Sequence, residues 1–379
     1  MLSLVTDLYY YVGVFLVLLT VLVFVHELGH FWVARRCGVR VEVFSIGFGP
    51  ELFGFTDHAG TRWKFSALPL GGYVRMFGQS DTVVESDGRN RQLSLGERAI
   101  SFAHKPLGQR AAIVAAGPAA NFLFAVIVLA ALFSIYGQQF SSTQVGDVKP
   151  GSAAEAAGIR PGDRIVSLNG QTVRRFEDIA GIVQLGLGEP LRIVLDRAGQ
   201  QMEILSQPHV IEETDNFGNT HRIGRLGIQS TGAGEVVRYD PLAAVWAAGQ
   251  ETYRITATTL KAVWQMIAGS RPSDELGGII SIAKMSGDVA RTGFVAWIGF
   301  AVLLSINLGL INLFPIPMLD GGHLAFYTVE AVRGRPLGAR AQEWGLRIGL
   351  ALVLALFVFA THHDLLKLGV VDFIRSLIT

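Results

Sequence analysis

Four long apolar runs, separated by stretches where polar residues recur, set the frame of this chain. The runs cover residues 8–34, 111–136, 293–314 and 346–360. A helix needs about 20 apolar residues to cross a bilayer core, so each run is read as a spanning helix, the fourth being the shortest. Residues 41–76 instead alternate apolar and polar positions around Gly47, Gly49, Gly54, Gly71 and Gly72, which predicts short strands and turns near the membrane. Non-helical backbone at membrane depth survives only when buried in protein or lining a cavity, so this segment is expected to line a site. Residues 81–98 are polar and without period, and are read as a flexible cytoplasmic loop.

Beyond the second run the pattern shortens. Residues 145–148, 164–168 and 191–196 read as strands, and 153–157 and 176–186 as helices, giving a compact α+β domain over 138–233. Then Leu242, Val245, Trp246, Tyr253, Leu260, Val263, Trp264 and Ile267 recur near helical spacing. They predict an amphipathic helix lying on the membrane or against the domain. The expected organisation is 1–137, with two spanning helices and the β segment; 138–233, the domain; 234–291, the amphipathic helix and linker; and 292–379, the last two spans.

Composition agrees. Of 379 residues, 50% are hydrophobic and 17% charged, and the mean hydropathy is +0.40, the profile of an integral membrane protein. A net charge of +1 gives no sign of a nucleic-acid partner. The one cysteine, Cys37, excludes an internal disulfide and is read as a small buried hydrophobe, with a reactive thiol as the alternative. No Lys or Arg precedes Arg35, so the first run is expected to stay in the mature protein. Arg35, Arg36, Arg40, Lys105, Arg110, Arg333, Arg335, Arg340 and Arg347 flank the spans on what the positive-inside rule makes the cytoplasmic side. The N-terminus and residues 138–291 then lie outside the cytoplasm.

Chemistry enters with His26-Glu27-Leu28-Gly29-His30 inside the first run. Residues four apart share one helix face, so both imidazoles can reach one ion, and Glu27 can take a proton from metal-bound water. Zinc suits this set because it binds imidazole and lowers the pKa of its water to about 7. From residue 8 to His26 a helix rises about 27 Å, which puts the site near the cytoplasmic edge of the apolar core. A third ligand is needed, and Asp320 is the candidate, just after Pro315 and Pro317 interrupt the third run; the alternative is a capping carboxylate. His323 is read as a surface or supporting residue, and His362 and His363 as solvent or headgroup contacts past the last helix.

These motifs carry a resemblance. His26 through His30 in a first span, with Asn312 through Gly321 ending a third, resemble the site-2 protease family, and in particular its bacterial regulator of sigma-E protease branch, over nearly the whole chain. The resemblance implies zinc held by His26, His30 and Asp320, with Glu27 as catalytic base and Asn312 holding substrate near the metal. Gly71-Gly72-Tyr73-Val74 matches a membrane-associated β segment that receives substrate as an added strand. Gly117-Pro118 and Asn121 match a second-helix motif, with Asn121 either contacting substrate or bonding between helices. Pro150 through Ala154, Gly158 through Asp163 and Leu168-Asn169-Gly170 resemble a circularly permuted PDZ domain; Arg225, Leu226, Gly227 and Ile228 would be its carboxylate-binding loop, with an ordinary edge strand as the alternative. The space between the second and third spans fits one such domain, unlike the two-PDZ members of the branch.

The fold class expected is therefore a polytopic α-helical membrane protein with four transmembrane helices, a membrane-associated β segment and an extracytoplasmic α+β PDZ domain. The expected activity is hydrolysis within single-pass membrane proteins in the bacterial inner membrane. By resemblance the substrates are an anti-sigma factor after a first cleavage, or remnant signal peptides. Two other classes are open: a PDZ-bearing scaffold without catalysis, against which the intact site argues, and a metal transporter, which calls for ligands spread along a route.

Overall fold

Each apolar run becomes a helix, and the ends of three of them run beyond the runs themselves. The computed structural model describes residues 2–78, 82–84, 90–214, 220–232, 234–269 and 277–367. The first span is α1 (Leu2–Arg36). It leads into two long antiparallel strands, β1 (Val41–Thr56) and β2 (Arg62–Met76), where short strands and turns were expected. Both strands are bent back on themselves. Residues 43–46 pair with 72–75 on one side and with 62–65 on the other, while 51–56 pair with 62–66. Two strands thus build one sheet of four paired segments, in which Gly47 and Gly49 (φ +89° and +86°) let β1 double back. The segment 72–76 ends up on its edge, with no second strand partner among the described residues.

Of the expected loop at 81–98, residues 81 and 85–89 lie outside the described residues, and the rest contain regular elements. β3 (Thr82–Val84) pairs with β4 (Asn90–Gln92), and α2 (Leu95–Ile100) starts with a capping box between Ser94 and Glu97. The second span, α3 (Leu107–Ile135), contains Pro118.

The chain divides into two compact units: Met1–Val128 with Gly278–Asp364, and Leu129–Gly277 with the residues after 364. The second unit is an α+β domain. Its elements are β5 (Gln138–Ser141), β6 (Val145–Val148), α4 (Ala153–Ala156), β7 (Arg164–Leu168), β8 (Gln171–Thr172), α5 (Phe176–Leu185), β9 (Leu191–Arg197) and β10 (Gln200–Ser206). They continue with β11 (His209–Thr214), β12 (Thr220–Arg225), β13 (Ile228–Ser230), β14 (Gly234–Val237) and α6 (Pro241–Ile267). A sheet of order β10-β9-β7-β8 is flanked by the pairs β13-β6, β11-β12 and β14-β5. Alternate residues Ile193 and Leu195 of β9 meet Ile165, Leu168, Ile179 and Val183 in a core from which water is excluded. α6 begins on Asp240, whose side chain caps the amides of Leu242 and Ala243, and is tied to the domain by Arg175 bonding Glu251. Its outer face exposes Leu242, Trp246, Tyr253, Trp264 and Ile267.

The first unit closes with α7 (Ile279–Thr292), α8 (Phe294–Leu313), α9 (Asp320–Arg333) and α10 (Ala339–Lys367). α7 and α9 were not anticipated, and α10 is far longer than 346–360, so that His362 and His363 lie inside it. Among the described residues, four helices are long and apolar enough to cross a membrane, at Tyr9–Arg36, Leu107–Ile135, Phe294–Leu313 and Arg340–Leu366. Their directions follow from their contacts. Tyr11 donates to Asp288 at 2.7 Å and Arg291 pairs with Asp7, joining the start of α1 to the end of α7, just before α8. Asp364, buried near the end of α10, accepts from the amides of Gly278, Ile280 and Ser281 at the start of α7. So α1 and α8 begin at one end of the bundle, α10 ends against the start of α7, and Arg110 of α3 meets Glu330 of α9.

In the α+β unit, Asp163 is 1% exposed and takes two bonds from Arg197, each 2.7 Å, and one from the amide of Arg160. The Arg197 guanidinium holds the Asp163 carboxyl below its ordinary value. A carboxyl depressed on folding adds stability above its unfolded pKa, about 3.9, and loses it as pH falls through the folded value. Asp163→Asn is therefore expected to lower the thermal midpoint of this unit at neutral pH. The gap from wild type should close as pH falls below 4. A gap that stays constant from pH 7 to pH 3 would contradict this.

Candidate metal centre

α1 presents His26 and His30 on one face, one turn apart. Their rings meet edge to face with centroids 4.8 Å apart, and their Nε2 atoms are separated by 3.2 Å. Asp320, in the first turn of α9, reaches the same point: its Oδ2 is 3.2 Å from His26 Nε2 and 3.5 Å from His30 Nε2. Asp320 Oδ2 is buried and makes no hydrogen bond of good geometry. A tetrahedral zinc with bonds near 2.1 Å spaces its ligand atoms about 3.4 Å apart, so the three atoms already stand at the separations such an ion imposes. The donor set of two imidazoles and a carboxylate fits zinc and leaves a fourth position open. Among the described residues, this is the one group of three His, Cys, Asp or Glu side chains so placed.

The surroundings make room for this convergence. A Cβ on Gly117 of α3 would stand 2.2 Å from His30 Nε2 and 2.9 Å from His26 Cε1, so only glycine lets α3 pass behind both rings. His30 Nδ1 donates to the carbonyl of Ile113 at 2.8 Å, which leaves Nε2 unprotonated for a metal. The Asp320 side is built by backbone. Pro315 and Pro317 end α8, Met318 turns the chain at φ +91°, and Cβ atoms on Gly321 or Gly322 would strike the carbonyls of Leu313 or Ile316. Gly349 of α10 presses on the same loop, since a Cβ there would sit 1.9 Å from the Pro317 carbonyl oxygen.

The backbone amide of Val74 lies near the Glu27 carboxylate, and a Cβ on Gly72 would stand 3.2 Å from Glu27 Cγ. The edge segment of β2 therefore lies directly on the helix that carries Glu27. A cavity of about 910 Å³ opens here, lined by His26, Glu27, His30, Tyr73, Asn312 and Asp320 among others. His323 lines it too, beside rather than within the ligand triad. Arg110, Tyr327 and Glu330 form a further wall, with the Arg110 guanidinium over the Tyr327 ring at 4.9 Å.

Asn121 does not face the cavity as a substrate contact would. It is fully buried, with Nδ2 3.2 Å from His26 Nδ1, because its side of α3 is turned to α1. Leu226, Gly227 and Ile228 belong to the α+β unit, where they line a separate groove of about 230 Å³ with Phe176, Ile179 and Val183. Cys37 packs beside the cluster of Phe31 and Phe44. Ile113, not foreseen, acts through its backbone carbonyl, which leaves no trace in side-chain identity.

Comparison with known proteins identifies the family. The model for Peptidase family M50 matches residues 14–356. A protein of Agrobacterium fabrum provisionally named a zinc metalloprotease is 46% identical over 94% of this chain and 96% of its own. One of Brucella suis, similarly named, is 42% identical over 93% and 94%. Metalloprotease MmpA of Caulobacter vibrioides is 37% identical over 96% and 97%. The fold and centre define a polytopic membrane peptidase, and the chain belongs to peptidase family M50.

Gly117→Ala is expected to lower zinc retention by at least tenfold, an effect of the size seen when metal-supporting residues are changed. The check is metal content after dialysis of purified protein, beside wild type. Gly349→Leu, which reaches the centre only through the loop of Pro317, should lower it in the same direction.

Proposed function

We propose that this peptidase is a zinc-dependent enzyme that hydrolyses peptide bonds in the transmembrane segments of single-pass membrane proteins. The observation that carries this is the meeting of His26, His30 and Asp320, with Glu27 beside them, among helices apolar enough to span a bilayer. A zinc ion held there supplies Lewis acidity toward the scissile carbonyl and toward water. Glu27 removes a proton from the water as its oxygen bonds to the carbonyl carbon, and returns one to the amine as the C–N bond breaks. Asn312, with both a donor and an acceptor, holds the unwound substrate backbone in the cavity.

The substrate binds as a strand along the open edge at 72–76, with Gly72 and Tyr73 as contacts. The basic residues Arg35, Arg36, Lys105, Arg110, Arg333 and Arg335 lie toward the ends of the spans that carry the centre, which makes that end cytoplasmic in a bacterial inner membrane. The N-terminus and the α+β unit are then outside. We read that unit as a single PDZ domain whose loop of Leu226, Gly227 and Ile228 receives a peptide terminus, and the outer face of α6 as membrane-lying. The substrates are of anti-sigma-factor type, trimmed by an earlier cleavage, or remnant signal peptides. A transporter reading is weaker, because the metal-ligating groups converge at one point rather than along a route.

The test is cleavage of a single-pass substrate by purified protein in detergent, beside Glu27→Gln. Wild type should cleave, stop with a chelator and recover with zinc, while the variant keeps zinc and loses about 10²-fold or more in rate. Equal rates for both would remove Glu27 from the mechanism. In a substrate series, Gly or Pro near the cut should raise the rate over Leu or Ala. A rate indifferent to helix propensity would count against strand binding.

A further inference from the structure

The His26 ring has one nitrogen in the metal centre and the other against protein. Nε2 faces Asp320 and His30, while Nδ1 lies 3.2 Å from the amide end of Asn121. If the Asn121 Nδ2 donates to Nδ1, the ring proton must sit on Nε2, and a protonated nitrogen has no lone pair for an ion. The same arrangement leaves Asn121 Oδ1 buried without a hydrogen-bond partner. The two ends of a primary amide have the same shape, so a half-turn of the side chain fills the same space. It brings Oδ1 to Nδ1, satisfies the carbonyl and frees Nε2.

We propose that Asn121 acts as a hydrogen-bond acceptor for His26 Nδ1–H, a positioning residue that fixes the tautomer in which Nε2 can bind zinc. The inference rests on the zinc reading of this centre. His30 supplies an internal parallel: its Nδ1 meets the Ile113 carbonyl, which can only accept. Residues 113, 117 and 121 fall at successive four-residue steps of α3, and therefore on one face. That face offers an acceptor for His30, an empty place at Gly117 and an acceptor for His26. Asn121 is itself held, since its main-chain carbonyl accepts from Ser305 of α8 at 3.0 Å. Gly309 lets α8 close in, a Cβ there standing 3.2 Å from Asn121 Cβ. With no exposed surface, Asn121 touches neither cavity nor substrate.

The experiment is competition for zinc between a chromophoric chelator and the full-length protein in detergent. It compares wild type with Asn121→Leu, which has no acceptor, and Asn121→Asp, which has nothing but acceptors. Asn121→Leu should bind zinc about 10–100-fold more weakly, while Asn121→Asp binds as tightly as wild type or more so. With zinc saturating, the KM of Asn121→Leu for a model substrate should be unchanged. Asn121→Ala makes the same comparison should leucine not be accommodated. Wild-type zinc affinity in Asn121→Leu, or a raised KM alone, would overturn the proposal and return Asn121 to the substrate site. Loss of zinc in Asn121→Asp equal to that in Asn121→Leu would also overturn it, because the amide N–H would then be the essential group. No zinc bound by wild type would instead bring down the zinc reading itself, and the proposal with it.

Discussion

Three polar side chains from two separate helices must meet at one point inside an apolar bundle, and nearly every other feature of the first unit serves that meeting. Ionisable groups in such surroundings are costly unless paired, coordinated or hydrogen-bonded. Here both histidines are about nine-tenths buried, and each has its second nitrogen engaged by α3. Glu27 lies against the backbone of β2 at Gly72 and Val74. What α3 contributes at Gly117 is the absence of a side chain, and that absence brings backbone and imidazole to van der Waals distance.

Asp320 reaches the histidines by different means. α1 can place two ligands with one helical turn, but the third comes from the first turn of another helix, α9, and the chain must be turned to bring it in. Pro315 and Pro317 end α8, and Met318 accepts a left-handed backbone at φ +91°, a conformation that costs about 1–3 kcal/mol and persists only where neighbours over-determine it. The neighbours are the close contacts of Gly321 and Gly322 on the preceding turn and of Gly349 on Pro317. α10 otherwise lies almost entirely on the outside of the unit, so the contact at Gly349 is where it bears on the chemistry.

The contiguous parts of this arrangement were legible in the sequence, and the folded-over parts were not. A five-residue motif with ligands on one helix face declares itself, as do runs long enough to span. Asp320 could be named from its loop. The doubling of β1 and β2 could not, because period-two alternation is the same in a hairpin and in a sheet folded across itself, and only the register distinguishes them. α7 and α9 are short and mixed in polarity, and their packing is settled by partners remote in sequence, such as Tyr11 and Asp364. The helix at 95–100 was within reach, since Ser94 and Glu97 stand at capping-box spacing, but the polar surroundings masked it. Asn121 was visible as a candidate, and its role was not, because which way a side chain on a buried helix faces depends on the partner helix.

The position of the base bears on how a membrane helix could be cut at all. A helix in the bilayer satisfies its own backbone groups, and each group exposed by unwinding costs several kcal/mol unless it finds a new partner. The segment 72–76 is a strand with one edge free of a strand partner among the described residues, which is a row of such partners. It is also the segment that touches Glu27 through Gly72 and Val74. The backbone that can receive an unwound substrate and the backbone that holds the base are therefore one piece of chain. Unwinding and proton transfer are brought to the same place without any element having to move between them, and a substrate that cannot exchange its helical bonds for those of this edge never presents its carbonyl to the centre.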